Sequence, residues 1–362
     1  MSYLRYFKRH KATLQCKTIT PMFLGNAHQE AEWRAAPFKA LFRYWWRVTQ
    51  HHLSTNDLRK REGELFGTAG KEDASGKSLF SIAISSETQS HASRESLPLV
   101  GKVHHPEVSR DSHINPLLYL AGMGLTRQSG RNLVIKNSYF SPNSRFDLQL
   151  SLPEKYSTEI IKALSLIKAF GAVGARSRNG WGSFQFTSAE LDLNNLQIHL
   201  DEITRDWPEG MREKDFPNCL GRDTRGPLIW KTKAEQKWAE VMKHLADTYI
   251  GLRARTVNEI PRLNPNGSDQ PDERHLLGFP LSKNHPARQA RNWGSSGRHA
   301  SPLRFVVHQV RNEFQGFILH LPHRHSKEMP FPAHINQPRV WEKVHKKLDG
   351  LLERANYSEV LA

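Results

Sequence analysis

The sequence predicts an α+β fold whose first half runs in ferredoxin-like order and is followed by a second α+β unit. Segments that alternate apolar and polar residues, at 12–20, 79–86 and 183–193, flank helical patterns at 37–52 and 157–170. The resulting order is strand, helix, two or more strands, helix, strand. Helical patterns at 233–255 and 338–355 then bracket strand patterns at 302–309 and 314–321. At 362 residues the chain is also long enough for two domains, each with its own core.

ATLQCKTIT (12–20) reads as a half-buried strand, and Pro21 to Gly25 break it. Pro37 suits the first position of a helix, and PFKALFRYWWRVTQHH continues without a breaker. LFSIAISS (79–86) returns to strand character, with further strand signals at 98–103 and 131–137. In STEIIKALSLIKAF (157–170), Ile160, Leu164 and Ile167 share one face and Ser157 is placed to cap. SFQFTSAELDL (183–193) closes the first unit. Residues 204–227, with three prolines and three glycines, have linker or irregular composition, so the expected division is 1–203 and 204–362. The Pro-, Asn-, Gly- and Arg-rich stretch 261–300 reads as a long loop in the second domain.

With 52 Lys plus Arg against 36 Asp plus Glu, the net charge of +16 favours a polyanionic partner, nucleic acid first. Cys16 and Cys219 support neither a disulfide framework nor a thiolate zinc site, which points to a reducing cytoplasm. The sequence contains no stretch of the ~18 apolar residues a membrane helix needs, and MSYLRYFKRHK lacks a signal-peptide core.

Three constellations carry the functional signal. On the first helix, Phe38, Leu41, Phe42, Trp45 and Val48 form one arc, while Lys39, Arg43 and Arg47 stand four apart on the other, with Trp46 and Gln50 between them. Like charges so spaced call for an anion, either phosphate or local Glu30 and Glu32; Trp46 suits stacking on a base or packing on a neighbour. The second constellation is GAVGARSRNGWGS (171–183), where glycines let backbone approach phosphate and Arg176 and Arg178 supply charge. A helix precedes this loop and a strand follows, the reverse of a dinucleotide-binding turn. The third gathers Arg274, His275, Arg288, Arg291, Arg298, His299 and Arg304 around Trp293, arginine interleaved with an aromatic in a pattern that suits single-stranded nucleic acid and also fits a basic disordered loop with no ligand. GKEDASGKS (70–78) imitates a P-loop but has five residues between its glycines and a strand-like sequence after it. Paired histidines at 51–52 and 104–105 and the 323–325 run lack the spacing of a metal site.

TPMFLGNAHQEAEWRAAPFKALFRYWWRV resembles the N-terminal signature of the first RAMP (repeat-associated mysterious protein) subunit of type III-B CRISPR (Cmr) effector complexes. REGELFG (61–67), GAVGARSRNGWGSF, HLLGFPLS (275–282) and HASPLRFVV (299–307) are similar to later family segments. Asn26 and Ala40 depart from it, standing where glycines are usual. The resemblance implies two tandem ferredoxin-like (RRM-like) domains, no cofactor, and antiviral defence in partnership with guide RNA, target RNA and other Cmr subunits. It places the chain near the 3′ side of the guide, with cleavage left to another subunit.

The candidate RNA-binding residues are Arg34, Lys39, Arg43, Trp46, Arg47, Gly174, Arg176, Ser177, Arg178, Gly180, Trp181, Arg274, Arg298 and Arg304. No catalytic residue and no metal ligand is expected. The rival reading is a metal-independent endoribonuclease of the CRISPR repeat-processing kind with His28 as its acid or base. A third is a scaffold whose basic faces meet acidic protein.

Overall fold

A computed structural model describes residues 8–68, 76–86, 92–107, 113–122, 124–129, 132–190, 196–263, 271–278 and 298–361. The first half contains β1 (Arg9–Thr18), α1 (Ala35–Val48), α2 (Thr55–Phe66), β2 (Ser81–Ser86), β3 (Ala92–Ser93), β4 (Val103–His104), β5 (His113–Ile114) and α3 (Pro116–Ala121). It continues through β6 (Thr126–Ser129), β7 (Asn132–Ile135), β8 (Tyr139–Phe140), β9 (Arg145–Pro153), α4 (Ser157–Phe170) and β10 (Phe184–Ala189). Next come α5 (Leu196–Glu202), β11 (Thr204–Asp206), α6 (Trp207–Glu213), β12 (Leu220–Asp223) and β13 (Gly226–Pro227). The chain ends with β14 (Ile229–Lys231), α7 (Trp238–Ala254), β15 (Leu303–Val310), β16 (Glu313–His320), α8 (Gln337–Leu351), β17 (Glu353–Arg354) and α9 (Tyr357–Leu361).

The fold is mixed α and β with several antiparallel sheets. The larger two have orders β10-β1-β9-β2 and β15-β16-β14-β17. In each, the first strand of its unit lies between the third and the fourth, so the two sheets repeat one strand order. Alternation along β1 and β9 turns Leu14, Cys16, Phe146, Leu148 and Leu150 into a core with α1 and α4. Val306, Phe317 and Leu319 of the second sheet join that same core, while Leu303, Phe305, Val307 and Ile318 face the side chains of α7 and α8. The second sheet is thus covered on both faces, which is why LRFVVHQV shows no simple alternation of exposure.

Two buried lysines finish equivalent helices. Lys214 Nζ donates to the carbonyls of His51 (2.9 Å) and Leu53 (2.6 Å) just past α1, and Lys347 Nζ donates to Arg255 (2.8 Å) and Leu252 (3.4 Å) at the end of α7. The Lys347 ammonium satisfies carbonyls that the end of α7 leaves without partners, and that of Lys214 does the same for the turn that follows α1.

Several expectations change. Residues 204–227 are not a linker: β11, β12 and β13 form a three-stranded sheet there, with α6 between its first two strands. Ser157 is the first helical residue rather than the cap, and its hydroxyl lies 3.0 Å from His10 Nδ1. Of the expected strand at 98–103, only Val103 belongs to one. Most of the P-loop-like segment, most of the loop 261–300, and Arg288, Arg291 and Trp293 lie outside the described residues. Cys16 and Cys219 are both buried and neither forms a disulfide. Among the described residues no helix is long and apolar enough to cross a membrane.

Candidate nucleic-acid interface

Two loops build the surface that carries most of the exposed candidate cations. The loop after β1 and the glycine-rich loop between α4 and β10 are stitched along their backbones: Gly182 N donates to Pro21 O (3.0 Å), Ala175 N to Phe23 O (2.9 Å), and Thr20 Oγ1 to Gly180 O (2.8 Å). The stitching explains the glycines. A Cβ on Gly174 would stand 2.7 Å from Phe23 O, and one on Gly182 would stand 1.9 Å from Val173 O. Both have positive φ. Their small size serves close passage of the chain past itself rather than past a ligand. Trp181 is fully buried beneath the loop, its ring 5.4 Å from Phe23 and 6.1 Å from Trp238.

Over this base Arg176 is exposed, in a left-handed conformation with φ of 60°, its guanidinium lying over Gly122. Arg34, also exposed, donates to Gly25 O at 3.0 Å and precedes α1, whose first turn has neither an acidic residue nor a side-chain cap. Lys39 follows in the next turn, half-exposed; burial and then the Arg43 charge lower its pKa. Ser177 is half-buried beside Arg176, and Arg298 is exposed at the edge of the described chain.

The outer arc of α1 is not bare. Helix α2 lies against it and buries Glu62, which accepts from Arg47 Nε (2.7 Å) and Nη2 (2.5 Å) and from Arg43 Nε. Burial pushes the Glu62 carboxyl up, but the hydrogen bonds from Arg47 and Arg43 outweigh it and hold its pKa below the ordinary value. The counter-ion is therefore Glu62 rather than Glu30 or Glu32. One carboxylate for two guanidiniums leaves the ladder with net positive charge, and the Arg43 and Arg47 side chains keep 42% and 35% of their exposure. Trp46 and Gln50, expected on that arc, are buried. The Trp46 ring packs edge-on to Phe66 of α2, which removes it from contact with a base.

The later arginines are more enclosed. Arg274 is 2% exposed and grips Glu107 with both Nη atoms, at 2.8 and 2.6 Å. Arg304 is buried against α1. Arg178 is half-buried, Nη1 donating to Ser301 O at 3.1 Å. Gly180 is buried, and a Cβ there would meet Met242. His28 is exposed on the turn after Gly25, its backbone N–H bonded to Asn26 Oδ1 at 2.9 Å. Among the described residues no group of three or more His, Cys, Asp or Glu is placed to hold a metal ion.

The sequence reading missed Glu62, Tyr44 and Glu159. Helix α2 was legible: Ser54 Oγ accepts from Asp57 N at 3.2 Å, an S-x-x-D start ahead of Leu58, Leu65 and Phe66.

Residues 15–185 match the RAMP superfamily. No curated protein sequence matches the chain. Among solved structures, it resembles Cmr1 from Pyrococcus furiosus in the apo form, with 16% identity, a TM-score of 0.46, and 97% of this chain and 96% of that one covered. It also resembles a chain of the Type III-B Cmr-beta structure bound to cognate target RNA, at 11% identity and a TM-score of 0.50, covering 94% of this chain and 100% of that one. A chain of Cmr-beta bound to cognate target RNA and AMPPnP in the presence of ssDNA gives 12%, 0.50, 94% and 99%. The two Cmr-beta likenesses show a shared fold.

Proposed function

We propose, from the premise that residues 15–185 form a RAMP superfamily unit, that the chain is a non-catalytic RNA-binding subunit of a type III-B CRISPR effector complex. Its two βαββαβ units, 1–203 and 204–362, are read as tandem ferredoxin-like domains. The chain would assemble with other Cmr subunits near the 3′ side of a guide RNA and help engage target RNA in antiviral defence. No cofactor belongs to this role.

The observation that carries the reading is the exposed Arg176, held by the stitched loops on a buried tryptophan base, with Arg34 and Lys39 on the loop and helix those loops lead into. Arg43, Arg47, Ser177 and Arg298 extend the surface; Gly174, Gly180, Trp46, Trp181 and Arg274 support it from within. Guide and target sequences vary, so contacts fall on phosphate and sugar rather than on base edges. The open face of the first sheet agrees. Lys11, Thr13, Gln15 and Lys17 of β1 and Arg145, Asp147, Gln149 and Ser151 of β9 point away from the helices, with no aromatic ring among them on which a base stacks.

Incubating the purified chain with labelled guide and target RNA tests the role. Retention of both RNAs intact supports it. Metal-independent cleavage that disappears in His28→Ala gives the endoribonuclease reading instead.

A further inference from the structure

Arg178 and Arg304 meet one tyrosine from two different parts of the chain. Arg304, on β15 and 7% exposed, places its Cζ 4.7 Å from the centre of the Tyr44 ring and 5.1 Å from that of Trp45. Arg178, from the glycine-rich loop, places its Cζ 5.8 Å from the same Tyr44 ring. Among the described residues neither guanidinium pairs with a carboxylate. Other enclosed arginines meet carboxylates, Arg274 with Glu107 and Arg354 with Asp223 and Asp349, whereas Arg178 Nη1 donates to the neutral Ser301 carbonyl. Burial lowers the pKa of Arg178, Tyr44 opposes this, and the Arg304 charge adds to it. Trp45, fully buried in the same cluster, has an indole N–H with no acceptor among the described residues.

Two neighbouring cations withdrawn from water without a counter-charge are costly, and an orphaned donor adds to the cost. A phosphate answers the two cations, because its oxygens accept from both guanidiniums and its charge offsets their repulsion. We propose that the seam between the two units is a socket for one phosphate of a bound RNA strand, clamped between Arg178 and Arg304 beside Tyr44. Arg178 and Tyr44 are only half-buried, which leaves the cluster a mouth. The proposal rests on the RNA-binding reading and adds that the strand ties the second unit to the first.

The test uses the full chain, a fluorescein-labelled unstructured single-stranded RNA, and Arg178→Gln, Arg304→Met and the double variant. Each single change is expected to weaken binding by about tenfold or more. The double variant is expected to lose about 0.7 from the slope of log affinity against log salt, the share of one single-strand phosphate rather than two. Arg304→Met removes a buried unmatched charge, so the free protein's melting temperature is expected to hold or rise while binding falls; a packing role would lower the melting temperature and leave binding alone. If Arg304→Met does not fold, Arg178→Gln carries the test. Wild-type affinity and slope in the double variant, or in Arg178→Gln when it stands alone, while Lys39→Ala with Arg176→Ala weakens binding, would overturn the socket and leave RNA binding standing. If Lys39→Ala with Arg176→Ala also leaves binding unchanged, the RNA-binding reading falls with it.

Discussion

Trp46 donates its indole N–H to Glu159 Oε2 at 2.9 Å, joining α1 to α4 through a ring with no solvent exposure. The same carboxylate accepts from Arg61 of α2, so three helices meet at one group.

Trp46→Ala is therefore expected to cost about 3–5 kcal/mol of stability, as for other large buried aromatics. Trp46→Phe, which keeps the ring but loses the donor, is expected to cost about 1–3 kcal/mol. Urea unfolding measures both. RNA affinity of folded Trp46→Phe is expected to match wild type.

Lys347→Met removes the ammonium that closes α7. A charge-assisted donor lost from buried carbonyls is expected to cost about 2 kcal/mol or more, read as a lower urea midpoint at unchanged slope.

Gly182→Ala is expected to destabilise by more than about 3 kcal/mol, since it adds positive-φ strain to a clash with Val173 O. Gly226→Ala, also at positive φ but with open space around it, separates strain from clash and is expected to cost less.

Acid is expected to loosen the second unit. Burial lowers the pKa of His308, His323 and His325 to about 4, and of His299 and His345 to about 3, from an ordinary value of 6.5. Below 6.5 the unfolded chain takes up protons that these native imidazoles refuse. Their contribution to stability is thus complete above 6.5 and is lost as the pH falls toward 4 and then 3. Melting temperatures across that range check this; a flat profile would contradict it.

The sequence made β1, β2, β10, β15 and β16 and the helices α1, α4, α7 and α8 readable, but it did not yield β9, which pairs with both β1 and β2, or the short β14 and β17. What it hid was which side of α1 meets water. Lys39, Arg43 and Arg47 fall on one arc as expected, but periodicity within α1 says nothing of α2, whose Glu62 claims two of the three. Trp46 was ambiguous for the same reason: a tryptophan beside cations reads alike as a stacking platform or as a packing element. Arg274 and Arg304 read as members of one basic cluster around Trp293 because their partners, Glu107 and Tyr44, lie 167 and 260 residues away in the chain. The linker composition of 204–227 misled because most of its prolines and glycines sit within short elements: Pro208 opens α6 ahead of Gly210, Gly221 lies in β12, and Gly226 and Pro227 form β13.

The most direct test is the salt dependence of single-stranded RNA binding by the wild type and by Lys39→Ala with Arg176→Ala. If these exposed side chains lie on phosphates, the double variant binds more weakly and its log–log slope is shallower by up to about 1.4, two contacts at about 0.7 each. An affinity and slope equal to wild type would contradict the account.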